Sequence, residues 1–508
     1  MDTLEQQSKD IKLDTTKLHR CKDYSEVCKN LEEPPSSSTK QQQQQHPKVF
    51  LLSTPHGAPA DKCVESLSPH LRAGDVIVDC GNEHWRNTER RQRALDSRGI
   101  HYVGCGVSGG YQSARHGPSM APGGSAAGLA AALPLLERMA ARDARRGQPC
   151  AVPVGPGGSG HYVKMVHNGI EQALMSALAE VWMLLTAGLG LAHDEVAGIF
   201  ESWNRDGPLE NSFLVGIGAR IERAKDSDGR PQVDRVRDKV TQDVTEEEGT
   251  GTWTCGEAVA LHVPAASIVS AHLFRCASAD LARRIRNRKA AASESGNSEP
   301  SRLSCAVRES KEEFVEVLRR TTYFCFLASF AQGLDLIRAR DRREGWDLDY
   351  ARLLQLWRGG CIIQADHIVD LLEGVFLRRQ QQQQQQQNEG EKKKKEEDGD
   401  DEDEGEGEDD GLLSSPEVGR ELAAHFPAAK EAVLRAVEAD FPVPAVSQTL
   451  EHYKYATAAA QLPTQFMEAQ LDYFGQHMFD DARDDPVGRP EKGRHHFEWQ
   501  PARGISGK

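Results

Sequence analysis

No CxxC pair and no regular cysteine framework occurs in this 508-residue chain, whose eleven cysteines are scattered. That spacing argues against a zinc ribbon or a disulfide scaffold, and no metal site is expected. No apolar h-region stands at the amino end, so a reducing, cytoplasmic setting is expected rather than a secretory one. No run of about 18 apolar residues is free of charge, which leaves no candidate for a membrane span. Excess positive charge is lacking too. The formal charge is −15, and residues 389–410 supply −10 of it through fourteen acids and four lysines. The remainder is only mildly acidic, which argues against a nucleic-acid binder.

What is present fits a soluble globular protein: 38% hydrophobic and 27% charged residues, in a chain long enough for two or three folded units. Residues 1–47 read as a polar extension, flexible over "EEPPSSSTKQQQQQHP", with "CKDYSEVCKNL" able to form a short amphipathic helix. Strands are predicted at "KVFLLS", "DVIVDCGN" and "IHYVGCGVSGG", alternating with helices, so 48–150 reads as a parallel α/β sheet. From 161 to 479 the periodicity is helical, with segments predicted at 308–341, 348–376 and 463–475 among others. A polyglutamine and acidic insert, 380–410, reads as a disordered loop inside this half, and 480–508 as a tail without helical pattern.

Three stretches carry chemistry. In "HYVKMVHNGIE", Lys164, His167, Asn168 and Glu171 fall at i, i+3, i+4 and i+7, one face of a helix. A polar edge on a half-buried helix accounts for Lys164 and Glu171. It accounts less well for His167 and Asn168, because asparagine is a poor helix-interior residue. A partly buried lysine is a competent general base, and a carboxylic acid nearby can return a proton. "DCGNEHWRNTERR" sets Asn82 just past a strand's carboxyl end, where α/β folds hold ligands. "GVSGGYQSARHGPSMAPGG" sets Ser108, Gly109 and Gly110 just past the next. Taken alone, that stretch reads as a plain Gly-rich turn. "VGPGGSGH" lacks the Lys-Ser/Thr of a phosphate loop and reads as a linker.

With "GTGTWT", "FAQGLDLIRA", "LWRGGCIIQA" and "LDYFGQHMFD", these stretches resemble, in order, the signatures of 6-phosphogluconate dehydrogenase over about residues 48–479. The resemblance implies an incomplete Rossmann-like parallel sheet followed by a large helical domain of that family's type. It implies a homodimer, and NADP-dependent oxidative decarboxylation of 6-phosphogluconate to ribulose 5-phosphate and CO2 in the pentose phosphate pathway. Lys164 would then be the base and Glu171 the acid. Asn82, Ser108, Gly109, Gly110, His167 and Asn168 would hold the sugar acid, with Asn82 also at the cofactor. Arg275 and the partner subunit's His477 would bind the phosphate end.

The chain departs from the family at two places. The opening GxAxMG turn and Asn-Arg-Thr are not found, and "STPHG" stands for "VKAG". At the phosphate end, Gln172 replaces a tyrosine, Glu248 a lysine and Leu471 an arginine. Each lost charge-assisted hydrogen bond is worth roughly 1.5–3 kcal/mol, and Lys239 is a candidate substitute cation. Three readings stand open at this point: the family's enzyme with its amino end not given, a dehydrogenase of another sugar acid, or a non-catalytic dimeric paralogue.

Overall fold

The computed structural model describes residues 21–31, 47–245, 249–295, 303, 310–396, 411–459, 461–483 and 493–499. It comprises two compact units, residues 1–450 and 451–508.

The first unit opens with helix α1 (Tyr24–Asn30), capped by the Asp23 side chain, then strand β1 (Val49–Leu52) and helix α2 (Ala58–Leu67). Strand β2 (Val76–Asp79), helix α3 (Trp85–Asp96) and strand β3 (His101–Ser108) follow. β1, β2 and β3 pair in parallel, as the alternation of short apolar runs and helices predicts. The sheet departs from an all-parallel one at its last strand. After the short helix α4 (Gly110–His116), strand β4 (Ser119–Gly123) returns antiparallel to β3. The ten residues between Ser108 and Ser119 are too few for the crossover that a parallel strand needs. Gly117, at φ 118°, makes the reversal. Helix α5 (Ala126–Met139) closes the α/β part, with Leu129, Ala132 and Leu136 buried against Val76, Val78, Val103 and Cys105.

Helix α6 (Ser159–Met183), extended by a π turn at Leu184–Gly188, is the centre of the unit. Ser159–Gly188 is the one described helix long and apolar enough to cross a membrane by length and composition. Here it is the core helix: seventeen residues of α6 are buried. Its amino end meets the sheet with no side-chain layer between them. A Cβ on Gly160 would lie 2.3 Å from the carbonyl oxygens of Gly104 and Ala121, and one on Gly123 would lie 2.4 Å from Gly160 N. Glycine is the only residue that permits backbones this close.

After α6 come α7 (His193–Arg205), α8 (Phe213–Arg223), α9 (Thr250–Ala260), α10 (Ala266–Ala279), α11 (Leu281–Ser295) and α12 (Lys311–Glu344), of which α8, α9, α10 and α12 pack on α6. α12 starts at a Ser310/Glu313 capping box and stops at Gly345 in the left-handed region. The helix predicted over 348–376 is broken. α13 (Tyr350–Leu353) runs into a 3₁₀ turn at Leu354–Arg358, and α14 begins only at Asp366. The break is the glycine pair of "LWRGG": Gly360 has φ 68°, and a Cβ there would strike Gly117 O at 2.6 Å. Ser119 N donates to Gly360 O at 2.9 Å, tying this loop to β4.

α14 corrects the insert as well. It runs Asp366–Glu396, through the glutamine run. Glutamine, glutamate and lysine are good helix formers, and an anchored helix lengthens without a new nucleus. The rest of the predicted loop, 397–410, lies outside the described residues, as does most of the predicted extension 1–47. α15 (Pro416–Glu438) and α16 (Pro444–Ala456) follow, and Glu180 of α6 accepts from Ala445 N and Val446 N at the start of α16.

In the second unit, α17 (Thr464–Gly475) carries buried Asp472. Its carboxylate accepts from Met478 N, Phe497 N, His496 Nδ1 and Trp499 Nε1. Those donors hold the acid well below the usual carboxylate range, against burial, which acts to raise it. The predicted tail is therefore folded back on this helix over its described part.

Candidate functional site

β2 ends at Asp79, and the loop after it carries Gly81, exposed Asn82 and buried Glu83. Glu83 is a hub. It accepts from Gly57 N at 2.8 Å, His84 N at 2.8 Å, Asn87 Nδ2 at 2.9 Å and Arg91 Nη1 at 2.7 Å. Burial works against this carboxylate, but the Asn87, Gly57 and Arg91 donors outweigh it and keep its pKa low. The loops after β1 and β2 are thereby fixed to one another. A Cβ on Gly81 would lie 2.7 Å from Thr54 O, so the two loops touch. Thr54 Oγ1 is buried there without a hydrogen-bond partner among the described residues. His56 and His84, one from each loop, both set ring edges on Trp253 of α9, at centroid distances of 5.3 and 5.1 Å.

β3 ends at Ser108, and Gly109 and Gly110 follow at φ 102° and 67°. A Cβ on Gly109 would strike Gly360 O at 2.2 Å, so this turn is seated on the "LWRGG" loop. Both glycines are thus required by backbone geometry.

α6 carries the polar stripe. Its first turn is locked by His161, whose Nε2 lies 3.1 Å from Asp79 O and whose Nδ1 lies 2.6 Å from Thr88 Oγ1. Lys164 is 7% exposed and packs on β3, since a Cβ on Gly106 would lie 2.2 Å from Lys164 Cβ. One turn on, His167 Nδ1 donates to Asn168 Oδ1 at 3.2 Å and lies 3.8 Å from Glu171 Oε2. Asn168 Nδ2 donates to Thr250 Oγ1 of the "GTG" turn at 3.0 Å. His167 is 1% exposed, and burial together with the Lys164 charge drives its pKa well below the ordinary imidazole value. It is therefore neutral. With Nδ1 protonated, Nε2 is a buried acceptor that no group among the described residues satisfies. Cys361 beside the "LWRGG" turn is raised chiefly by burial, and it senses both Lys164 and Glu171. Base candidate, acid candidate and this thiol thus share one neighbourhood.

Past Glu171 the helix leads to Gln172, which bonds to Asp243 and His272. Arg275 Nε donates to Asp243 Oδ2 at 2.9 Å. Glu248 lies outside the described residues, and Lys239 is exposed. His477 and Leu471 belong to the second unit, where His477 follows α17 and is exposed.

Sequence reading missed Glu83, Thr54, Trp253, Asp243 and His272. Glu83 and Trp253 stand inside the quoted motifs "DCGNEHWRNTERR" and "GTGTWT", so their positions were in view. Asp243 and His272 lie 71 and 100 residues from Gln172 and carry no local signal. Among the described residues no group of three metal-ligating side chains occurs.

Comparison with known proteins agrees with this architecture. The family described as the NAD binding domain of 6-phosphogluconate dehydrogenase matches residues 10–155, starting well ahead of β1. The C-terminal domain of 6-phosphogluconate dehydrogenase matches 160–401 and 400–499. A decarboxylating 6-phosphogluconate dehydrogenase from Emericella nidulans is 40% identical over 470 residues, 90% of this chain and 88% of that protein. An NADP(+)-dependent decarboxylating relative from Bacillus subtilis is 35% identical over 455 residues, 89% of this chain and 86% of that protein. A solved structure of the Plasmodium falciparum enzyme, described in apo form and with NADP+ or 6-phosphogluconate, superposes with TM-score 0.73 at 28% identity. It covers 90% of this chain and 86% of that one. Sheet, core helix and matched length together put the chain in the 6-phosphogluconate dehydrogenase family.

Proposed function

We propose that this chain catalyses the oxidative decarboxylation of 6-phosphogluconate to ribulose 5-phosphate and CO2. The observation that carries the reading is the stripe of Lys164, His167, Asn168 and Glu171 along two turns of α6, with Lys164 packed on Gly106 of β3 and His167 3.8 Å from Glu171.

The donor set at the ends of β1 and β2 fits the nicotinamide end of NADP. Thr54 Oγ1 is a buried hydroxyl without a partner among the described residues, and Asn82 offers an exposed amide. When bound there, NADP would supply the acceptor for the hydride that leaves C3. Lys164 Nζ takes the proton of the C3 hydroxyl. Glu171 returns a proton to C1 after CO2 has left. His167 Nε2 accepts from a sugar hydroxyl, and Asn168, held by Thr250, orients beside it. Ser108 with the Gly109 and Gly110 backbone, Arg275, and His477 of the partner subunit complete the binding shell.

The reading extends to a cytoplasmic homodimer, with domains at 48–150 and 161–479. Exposed apolar side chains in the second unit support a partner there: Phe466 is 71% exposed and Phe474 69%. Sedimentation should give a dimer, and Phe474→Asp should shift it toward monomer. Activity is tested on the purified chain by NADPH absorbance and CO2 release. Lys164→Met should lower kcat by roughly 10²–10⁴. Turnover that survives this substitution would remove the assignment.

A further inference from the structure

Gln172 leads from the stripe into a polar cluster drawn from four elements. Gln172 Nε2 donates to Asp243 Oδ1 at 3.0 Å, and its Oε1 lies 3.2 Å from His272 Nδ1. Because the amide nitrogen is committed to Asp243, Oε1 is an acceptor, and neutral His272 carries its proton on Nδ1. Its Nε2 is then a lone pair, with Thr252 Oγ1 at 3.4 Å and Cys276 Sγ at 3.7 Å as donors. The charged and titratable described groups facing the ring are few. Asp243 comes from the turn Gln242–Val244, with Oδ1 at 3.8 Å from Nδ1, and Arg275 and Cys276 come from its own helix, α10. α6 contributes the uncharged Gln172, and α9 the uncharged Thr252, the backbone of Gly251 and, toward Cys276 and Asp243, the Cys255 thiol, whose pKa burial raises. A Cβ on that glycine would come within 2.6 Å of Nδ1.

The charge balance of this cluster sets its chemistry. Asp243, whose side chain is 2% exposed, is ion-paired with Arg275. With His272 neutral, the described cluster offers an arriving phosphate no net positive charge. Protonated, it offers one, and Nε2 turns from acceptor to donor. Resting on the function proposed above, we propose that His272 determines specificity at the phosphate end by taking up a proton as the phosphate of the sugar acid binds. It would thereby stand in for the lysine that Glu248 replaces. Burial holds the free imidazole below its ordinary value despite Asp243, so near neutral pH the proton comes from solution. Affinity for the phosphosugar then falls as pH rises through the window between the free and the bound pKa.

Calorimetric titration of the full chain with 6-phosphogluconate, in buffers of differing ionisation heat at pH about 7.5, reads this uptake directly. That pH lies above the phosphate's own second ionisation at about 6. Uptake approaching about one proton per site is expected with 6-phosphogluconate, and none with gluconate. KM for 6-phosphogluconate should rise with pH by up to about tenfold per unit, the limit for one proton. In His272→Gln the uptake should vanish and the KM profile flatten, with KM rather than kcat changed. The gluconate comparison needs no variant, so misfolding of His272→Gln leaves the test intact. No uptake in the unsubstituted chain, equal uptake with gluconate, or uptake retained in His272→Gln would each overturn the inference. Uptake without turnover would keep it and sink the proposed activity. Turnover without His272-linked uptake would do the reverse.

Discussion

Replacing Gly106 by alanine puts a methyl carbon 2.2 Å from Lys164 Cβ and 2.9 Å from its Cγ. Carbon atoms rest at about 3.5–4.0 Å, so α6 or β3 must give by roughly 1.5 Å at this point. Neither yields easily. A Cβ at Gly106 also meets Gly160 O at 3.0 Å, and His161 ties the same turn to Asp79 and Thr88. Overpacking of this kind costs about 1–3 kcal/mol of stability. The larger effect falls on rate, because a displacement near 1 Å at a reacting group costs about 10²-fold. Gly106→Ala should therefore keep a folded chain while kcat for 6-phosphogluconate falls by about 10² or more. Gly198→Ala is the control: it stands inside α7 with nothing within 4 Å of the added carbon. That change should stabilise the chain by about 0.5–1 kcal/mol and leave kcat alone. Melting curves and steady-state rates on both variants decide the matter. An unchanged kcat in Gly106→Ala would refute the claim that backbone contact positions Lys164.

Arg91 donates to Glu83, Asp61 and Gly57 O from a side chain only 2% exposed. Arg91→Ala leaves the buried Glu83 and Asp79 carboxylates without their cation and should cost about 3–5 kcal/mol in urea unfolding. A loss below 1 kcal/mol would show that Glu83 is satisfied elsewhere. Glu180→Ala removes the acceptor for Ala445 N and Val446 N and should cost about 0.5–2 kcal/mol, as loss of a helix cap does. Amide exchange should accelerate at those two positions first. Burial, with Lys164 next, lowers the pKa of His167 in the folded chain. On acidification below about 6.5, the unfolded chain binds a proton that the folded chain refuses, so stability falls through that window. His167→Asn should flatten the decline in denaturation midpoint between pH about 7 and 5; an unaltered slope would mean that other groups govern it.

The sequence made some parts of this molecule legible and left others hidden, for identifiable reasons. β2 and β3 announce themselves because parallel strands buried on both faces read as continuous apolar runs, and β1 shares the apolar run although Leu51 at the sheet edge is exposed. The stripe on α6 is visible because helical spacing is a local property. β4 was not visible: "SMAPG" has the composition of a turn, and only the Gly117 reversal and the pairing with β3 make it a strand. The break after α13 had a signal in Gly359 and Gly360, overridden by the apolar periodicity on either side. The glutamine run was read by its complexity, although its residues favour helix once α14 supplies a start. Asp243 and His272 were beyond reach, since their meaning comes from Gln172 across the fold.

The seam between α6 and the sheet has a mechanical consequence. Where Gly160 meets Gly123 and the carbonyls of Gly104 and Ala121, backbone rests on backbone, and that contact has no rotamers to exchange as one surface slides over another. Shear motions depend on such exchange. The loops after β1 and β2, tied together through Glu83, meet α9 through the ring edges that His56 and His84 set on Trp253. The turn that carries Lys164 is thereby seated directly on the sheet, and its height above the strands is set by glycine alone.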